Sequence, residues 1–306
     1  MDVEIEKEPV ITPPLEPSPF LILLLLATAT LLGTILGSAL AVGWSESHGF
    51  DLKTVLYSLN EQSPRPLRDV IRIANFLSHV ATFTFPALLV AFVFYKRKWI
   101  SFLKLDKFPN IGLLGVGILF VIASFPFAQV TYWLNQQLPL PDWAKTMEET
   151  TGTLIKGLLV MNSPGELLLN LLVIAVVPAI GEELIFRGVL QQQLQRILRH
   201  PVAAIWTTAV LFSAIHLQFE GFLPRVVLGA ALGYLFYWTR SLWAPILAHF
   251  FTNGIQVVAQ YVTDGKLTES NLEKLEVRDW IAGAISLVIT LALGYYLTKR
   301  TRSIEH

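Results

Sequence analysis

The amino-acid sequence predicts an all-α, polytopic integral membrane protein. Hydrophobic residues make up 53% of the 306 residues and charged residues only 15%, whereas soluble domains carry about 25% charged residues. The apolar residues form stretches close to the ~20 residues that a helix needs to cross a bilayer. Glu182 and Glu183 end one of these stretches, and acids inside a membrane usually face a protein interior or a wet cavity. We therefore expect about eight transmembrane helices, with the active site in a cavity of the bundle.

The apolar stretches predict eight spans, of which the fifth and sixth are short. They run roughly from Pro19 to Trp44, Val70 to Tyr95, Asn110 to Leu134, Leu167 to Leu190, Ala203 to Leu217, Leu223 to Thr239, Leu242 to Val262, and Trp280 to Leu297.

The segments between the spans divide the chain into six parts. These are a disordered acidic, proline-rich tail (1–18), N-terminal transmembrane helices (19–134), an amphipathic interfacial loop (135–165), a helical core with the polar residues (166–262), a polar loop (263–279), and a C-terminal transmembrane helix with a basic tail (280–306). The interfacial loop is predicted to contain a helix, because its apolar residues recur near helical spacing among charged ones.

The charges predict an orientation and exclude some functions. Basic residues crowd into alternate loops, after the second, fourth, sixth and eighth spans, and Lys and Arg favour the cytoplasmic side. Both termini are therefore expected in the cytoplasm. The formal net charge is +0, with no basic cluster interleaved with aromatic residues, so nothing indicates nucleic-acid binding. The chain has no cysteine, which excludes disulfides, thiolate metal ligands and a cysteine nucleophile.

Polar residues in three later segments can reach the level of Glu182. If the fourth and fifth spans turn near His200, Glu182 lies 18 residues before the turn and His216 lies 16 after it. Antiparallel helices rise equally per residue, so the two side chains can face each other. His249 and Asn253 lie near the inner end of the seventh span. We therefore expect one buried site.

Spacing within each helix predicts which side chains share a face. Positions four apart are neighbours on a helix, so Glu183 can pair with Arg187. By the same spacing, His249 and Asn253 point in one direction. Glu182 lies about a hundred degrees round from Glu183 and is left without a local basic partner. A buried carboxylate beside an imidazole has the arrangement of a general base.

Three short motifs carry these residues in order along the chain. They are Glu-Glu-x-x-x-Arg at Glu182, Glu183 and Arg187, Phe-x-x-x-His at Phe212 and His216, and His-x-x-x-Asn at His249 and Asn253. With them, the sequence from about Leu167 to Val258 resembles the CPBP intramembrane proteases, a family that includes the CAAX prenyl endopeptidases.

The resemblance implies hydrolysis of a peptide bond inside the membrane by a CAAX-protease-like endopeptidase. Glu182 would activate a water with help from His216, and His249 and Asn253 would donate to the oxyanion. Glu183 and Arg187 would brace the site, and Phe212 would pack beside it. The expected partners are the lipid bilayer and a membrane-associated peptide or protein substrate. The expected location is the plasma (inner) membrane of a bacterium, and the oligomeric state is left open.

The same residues leave the role of a metal open. Members of the family are often labelled metalloproteases, and Glu182, His216 and His249 are enough donors for a hydrolytic zinc site. They come from three separate helices, however, and no His-Glu-x-x-His motif occurs. We favour metal-independent glutamate catalysis, with zinc as the alternative cofactor.

Two other classes of function also fit the pattern. A proton-coupled transporter could use Glu182, His216 and His249 as a relay, although the two halves of the sequence do not look repeated. A catalytically idle scaffold or immunity-type protein would bind another membrane protein. His79 matches no motif and is interpreted as a packing residue.

Overall fold

A computed structural model of the chain describes residues 16–263 and 275–302, and these residues contain helices and no strand. The all-α prediction is confirmed. Each continuous helical run is numbered as one element. The helices are α1 (Pro19–Ser47), α2 (Leu52–Ser58), α3 (Arg65–Phe102), α4 (Ile111–Gln136), α5 (Asp142–Leu159), α6 (Pro164–Leu198), α7 (Pro201–Ala214), α8 (Phe222–Thr239), α9 (Trp243–Val262) and α10 (Val277–Arg302). Most of the expected disordered tail and of the polar loop after α9 lies outside the described residues, as do the last four residues.

All eight predicted spans coincide with helices, but within the described residues only six helices are long and apolar enough to cross a membrane. These are α1, α3, α4, α6, α8 and α10. Helix α7 has 14 residues, which is short of the ~20 that a bilayer requires. Helix α9 has 20 residues, but His249, Asn253, Gln256 and Gln260 interrupt its apolar sequence. The chain is an integral membrane protein, and the count of eight is approximate.

The turn between α6 and α7 forms where the sequence predicts it. Helix α6 ends at a left-handed residue, Arg199, with φ of 52°. The ring of His200 then accepts a hydrogen bond from the backbone N–H of Ala203, and Pro201 occupies the first turn of α7, where its missing N–H costs nothing. Because the turn is tight, α6 and α7 are antiparallel neighbours, and the ends of their apolar stretches can meet.

Glycines allow the helices to approach closely at three contacts. An added Cβ at Gly33 of α1 would overlap the carbonyl oxygen of Ala81 in α3. In α8, an added Cβ at Gly229 would lie 3.2 Å from Phe212, and one at Gly233 would lie 2.9 Å from the side-chain oxygen of Gln191. Gly229 and Gly233, four residues apart in α8, therefore form a small-residue face that packs against α6 and α7 within the chain.

A buried ion cluster joins α3 to the start of α6. The Glu166 carboxylate oxygen Oε1 accepts hydrogen bonds from Arg68 at 2.7 Å and Arg72 at 3.0 Å. Arg72 also donates to the carbonyls of Leu158 and Val160, at the end of α5. All three charged side chains are at most 4% exposed. The cluster therefore fixes α5, the helix within the predicted interfacial loop, against α3 and α6.

Three π-helical segments lie within the helices that carry the polar residues. They are Val80–Thr84 in α3, and Leu171–Val176 and Leu184–Gln191 in α6. Such wide turns are rare and often occur at functional sites. Glu182 and Glu183 lie in the α-helical stretch between the two π segments of α6.

Candidate active site

A cavity of about 840 Å³ opens inside the helical bundle. Its polar residues include Glu182, His216, His249 and Asn253, all predicted from the sequence, together with His79. Much of the remaining lining is apolar and comes from α1, α2 and α5, among other helices. The cavity therefore joins a cluster of ionisable side chains to an apolar chamber inside the membrane protein.

Glu182 lies at the centre of the cluster and is 7% exposed. Its Oε1 accepts a hydrogen bond from Nε2 of His79 at 3.2 Å and lies 4.0 Å from Nε2 of His216. Its Oε2 lies 3.9 Å from Nε2 of His249. Three imidazoles from three different segments thus face one carboxylate. The depth estimate that placed Glu182 and His216 at one level agrees with this geometry.

His216 follows the last turn of α7 and presents one ring nitrogen to the cavity. Its Nδ1 lies 2.7 Å from the backbone carbonyl oxygen of Phe212. A carbonyl oxygen only accepts hydrogen bonds, so Nδ1 carries a proton. In the neutral ring, Nε2 is then an acceptor directed towards Glu182.

Glu183 and Arg187 form the buried pair that their spacing predicts. Nη1 of Arg187 lies 2.7 Å from Oε1 of Glu183, and both side chains are fully buried. Nη2 of Arg187 donates to the carbonyl of Gly229 in α8 at 2.6 Å. The same Glu183 oxygen lies 2.9 Å from Nδ1 of His249. The pair therefore fixes the His249 ring so that its Nε2 faces Glu182.

Phe212 packs against both parts of the site. The Arg187 guanidinium lies 5.1 Å from the centroid of its ring. The rings of Phe186, His216 and His249 surround it at centroid distances of 5.1, 5.0 and 6.4 Å. Its side chain therefore supports the two histidines without contributing a polar group.

Asn253 lies one turn after His249 and also lines the cavity. Its Nδ2 donates a hydrogen bond of 3.0 Å to the carbonyl of Ile174, in the first π segment of α6. Because an amide NH₂ group has two N–H donors, one remains after this bond. The bond ties α9 to α6 beside the carboxylate cluster.

His79 is the site residue that the sequence analysis missed. Its ring stacks on Phe83 with a centroid distance of 4.5 Å, as a packing residue would, but it also donates to Glu182. It lies 103 residues before Glu182, so no local spacing connects the two. The available signal was an ionisable side chain within an apolar span, which indicates function by default.

The role of a metal at this site stays a prediction. Across residues 16–263 and 275–302, no three or more His, Cys, Asp or Glu side chains are grouped so that they could hold a metal ion. Glu182, His216 and His249 are neighbours, but Oε1 of Glu182 is already bound by His79.

Comparison with known proteins identifies the segment that contains these residues. Residues 164–255 match the family described as type II CAAX prenyl endopeptidase Rce1-like. This segment is similar to the Rce1-like family. It begins with α6 and ends within α9, so it contains all three predicted motifs and confirms the family resemblance. The Rce1-like match supports a CAAX-type intramembrane protease in general, and it does not include α1 to α5.

A curated relative is also similar over part of the chain. The uncharacterized protein YpbD of Bacillus subtilis (strain 168) is 27% identical over 90 residues, which are 28% of this chain and 43% of that protein. The chain thus matches less than half the length of this relative. No solved structure matches the chain.

Proposed function

We propose that this chain is an intramembrane endopeptidase in which Glu182 and His216 activate a water molecule against a peptide bond. The observation that supports this most strongly is the buried Glu182 carboxylate, which lies within 4.0 Å of three imidazole Nε2 atoms at a cavity wall. The group lies in the Rce1-like segment. Glutamate and histidine are common general bases, and a general base must first lie within hydrogen-bond distance of the proton that it removes.

The separation of Glu182 and His216 suits a shared water. The two atoms are 4.0 Å apart, and two hydrogen bonds of about 2.8 Å that meet near a right angle at a water oxygen span that distance. In the proposed first step, the water oxygen bonds to the scissile carbonyl carbon and its proton moves to Glu182. The carbonyl electron pair moves onto oxygen, which becomes the oxyanion.

His249 and Asn253 are the proposed donors to that oxyanion. For His249 to donate to the oxyanion, its Nε2 must carry a proton. Its Nδ1 is hydrogen-bonded to the Glu183 carboxylate, which stabilises the positive charge that the ring has when both nitrogens are protonated. The second N–H of Asn253 supplies the other donor. Loss of one such donor costs about 2.7–4 kcal/mol of transition-state stabilisation in a well-studied protease.

The second step breaks the carbon–nitrogen bond. As the tetrahedral intermediate collapses, the proton held by Glu182 passes to the leaving nitrogen. The products are a peptide with a new carboxylic acid, which then loses the water's other proton to solvent, and a peptide with a new amino terminus. Glu182 returns to its charged form, so the cycle consumes one water and needs no other reactant.

The cavity and the charges support a proposed substrate class and orientation. The apolar lining from α1, α2 and α5 fits an apolar segment of a membrane-associated peptide or protein. The basic residues at alternate loops support cytoplasmic termini, and we place the protein in a bacterial plasma membrane. The similarity to type II CAAX prenyl endopeptidases makes a farnesylated peptide that ends in a CAAX sequence the first substrate to test.

The test compares Glu182→Gln with wild type. Purified full-length protein in liposomes would be given the farnesylated peptide, and new termini in the membrane fraction of a bacterial host expressing each variant would be mapped by mass spectrometry. We expect Glu182→Gln to lower cleavage by about 10²–10⁴-fold, the usual contribution of general acid–base catalysis. Glu149→Gln, the same change at an exposed position of α5, is the control and should cleave as wild type does.

Each outcome bears on one class of function. Wild-type cleavage by Glu182→Gln would contradict the proposed base. Proton uptake into liposomes without any new terminus would favour the transporter. An identical set of termini in cells with wild type, Glu182→Gln or no added protein would favour the scaffold.

A further inference from the structure

We propose that His79, which lies outside the Rce1-like segment, is a positioning residue that holds the Glu182 carboxylate in its reactive orientation. The inference rests on the proposed function of Glu182. It adds an element to the site, because α3 would then be part of the catalytic unit together with α6, α7 and α9.

The hydrogen bond to Glu182 fixes which group donates. Nε2 of His79 lies 3.2 Å from Oε1 of Glu182, and the two side chains are 12% and 9% exposed. A carboxylate oxygen only accepts, so Nε2 of His79 carries the proton. Of the three imidazoles around Glu182, His79 is the nearest.

The ring of His79 has close neighbours on one face and at its Cε1 atom. One face stacks on Phe83, with an interplanar angle of 28°. Gly181, the residue before Glu182, has no side chain, and an added Cβ there would lie 3.0 Å from Cε1 of His79. Directly after His79, α3 widens into the π segment Val80–Thr84. The imidazole is therefore fixed close to the backbone of α6, beside the residue that it contacts.

This contact leaves one lone pair of Oε1 free in a defined direction. A carboxylate oxygen has two lone pairs, and His79 occupies one of those on Oε1. The other can accept from a water that also contacts His216, which lies 4.0 Å from the same oxygen. Without the donor on His79, the carboxylate can turn about its terminal carbon–carbon bond and lose the alignment with that water.

The test uses replacements that differ in where they place an N–H. The amide nitrogen of glutamine reaches about as far as Nε2 of histidine, the amide of asparagine is one carbon shorter, and leucine has no donor. With the farnesylated peptide as the probe, we expect His79→Leu and His79→Asn to lower kcat by about 10²-fold, the cost of a misplacement of about 1 Å, with KM unchanged within twofold. We expect His79→Gln to recover kcat to within tenfold of wild type.

The control is His48→Leu, the same change at an exposed residue after α1, which should leave kcat unchanged. Thermal unfolding in detergent would report whether each variant is folded. If His79→Leu fails to fold, the comparison of His79→Gln with His79→Asn tests whether the position of the N–H donor determines kcat. Wild-type kcat in folded His79→Leu would overturn the inference, as would equal losses in folded His79→Gln and His79→Asn. Either result leaves Glu182 as the base if Glu182→Gln is inactive, so the two proposals fail separately.

Discussion

Replacing Glu166 with glutamine should destabilise the protein strongly, although the two side chains have almost the same shape. Oε1 of Glu166 binds Arg68 and Arg72, and Oε2 accepts from the backbone N–H of Asn162 at 2.9 Å. An amide has one acceptor oxygen, so its NH₂ group must face either the arginines or that N–H. Removing one partner of a buried ion pair costs about 3–5 kcal/mol, because the remaining charge is uncompensated.

The remaining contacts of Arg68 and Arg72 determine how much stability the Glu166→Gln variant loses. Arg72 keeps Asp69, whose Oδ1 lies 2.7 Å from Nη1 of Arg72 and whose side chain is 31% exposed. Within the described residues, Arg68 keeps only the carbonyl oxygen of Ser63 as an acceptor. We therefore expect a loss of about 3 kcal/mol in the free energy of unfolding. At about 2–4 °C per kcal/mol, Tm should fall by about 6–12 °C.

The assay is thermal and urea unfolding of purified protein in detergent, followed by circular dichroism. Glu149→Gln is the matched control and should change the free energy of unfolding by no more than about 0.5 kcal/mol, as exposed substitutions do. A fall of less than about 1 kcal/mol in folded Glu166→Gln would show that something other than Glu166 compensates the arginines. The Glu166 cluster would then not be what fixes α5 against α3 and α6.

Three further results are expected from other parts of the structure. Arg187→Met should lower the free energy of unfolding by about 3–5 kcal/mol because it leaves the buried Glu183 carboxylate without its guanidinium partner. The double variant with Glu183→Leu should recover most of that loss, and a double variant as unstable as the sum of both changes would contradict this. Gly33→Ala should lower the free energy of unfolding by about 1–3 kcal/mol by overpacking α1 against α3. Its control is Gly43→Ala, which has no atom within 4 Å of the added Cβ and should be neutral or stabilising by up to about 1 kcal/mol. Equal Tm values for the two variants would refute the close contact at Gly33. Active protein should contain no stoichiometric zinc by elemental analysis and should cleave normally after a chelator removes metal ions. Loss of cleavage after chelation, with recovery on adding zinc, would establish the metal alternative.

Much of the site followed from the sequence because its residues obey local helical geometry. Glu183 and Arg187 pair because positions four apart are neighbours, and the same spacing puts His249 and Asn253 on one side of α9. The turn near His200 set the relative level of α6 and α7 by simple counting. These relations need only the rise and period of a helix.

The parts that could not be predicted depend on contacts between distant segments. His79 reaches Glu182 only because α3 packs against α6 at Gly181, and no period in the sequence encodes that contact. The bond from Asn253 to Ile174 depends on the first π segment of α6, whose irregular register leaves no pattern in the sequence. The predicted number of spans was approximate because the polar residues of α9, including His249 and Asn253, reduce the mean hydropathy of that helix.

The π segments of α6 decide where a change in its length would matter. Glu182 and Glu183 follow Leu171–Val176 and precede Leu184–Gln191, and a π turn holds one more residue than an α turn. Deleting a single residue from the first segment would leave an ordinary α turn, so the residues after it would keep their direction. Deleting one residue from the α-helical stretch Val177–Glu183 before Glu182 would instead turn both carboxylates by about 100°, towards a different neighbour, even with every motif intact.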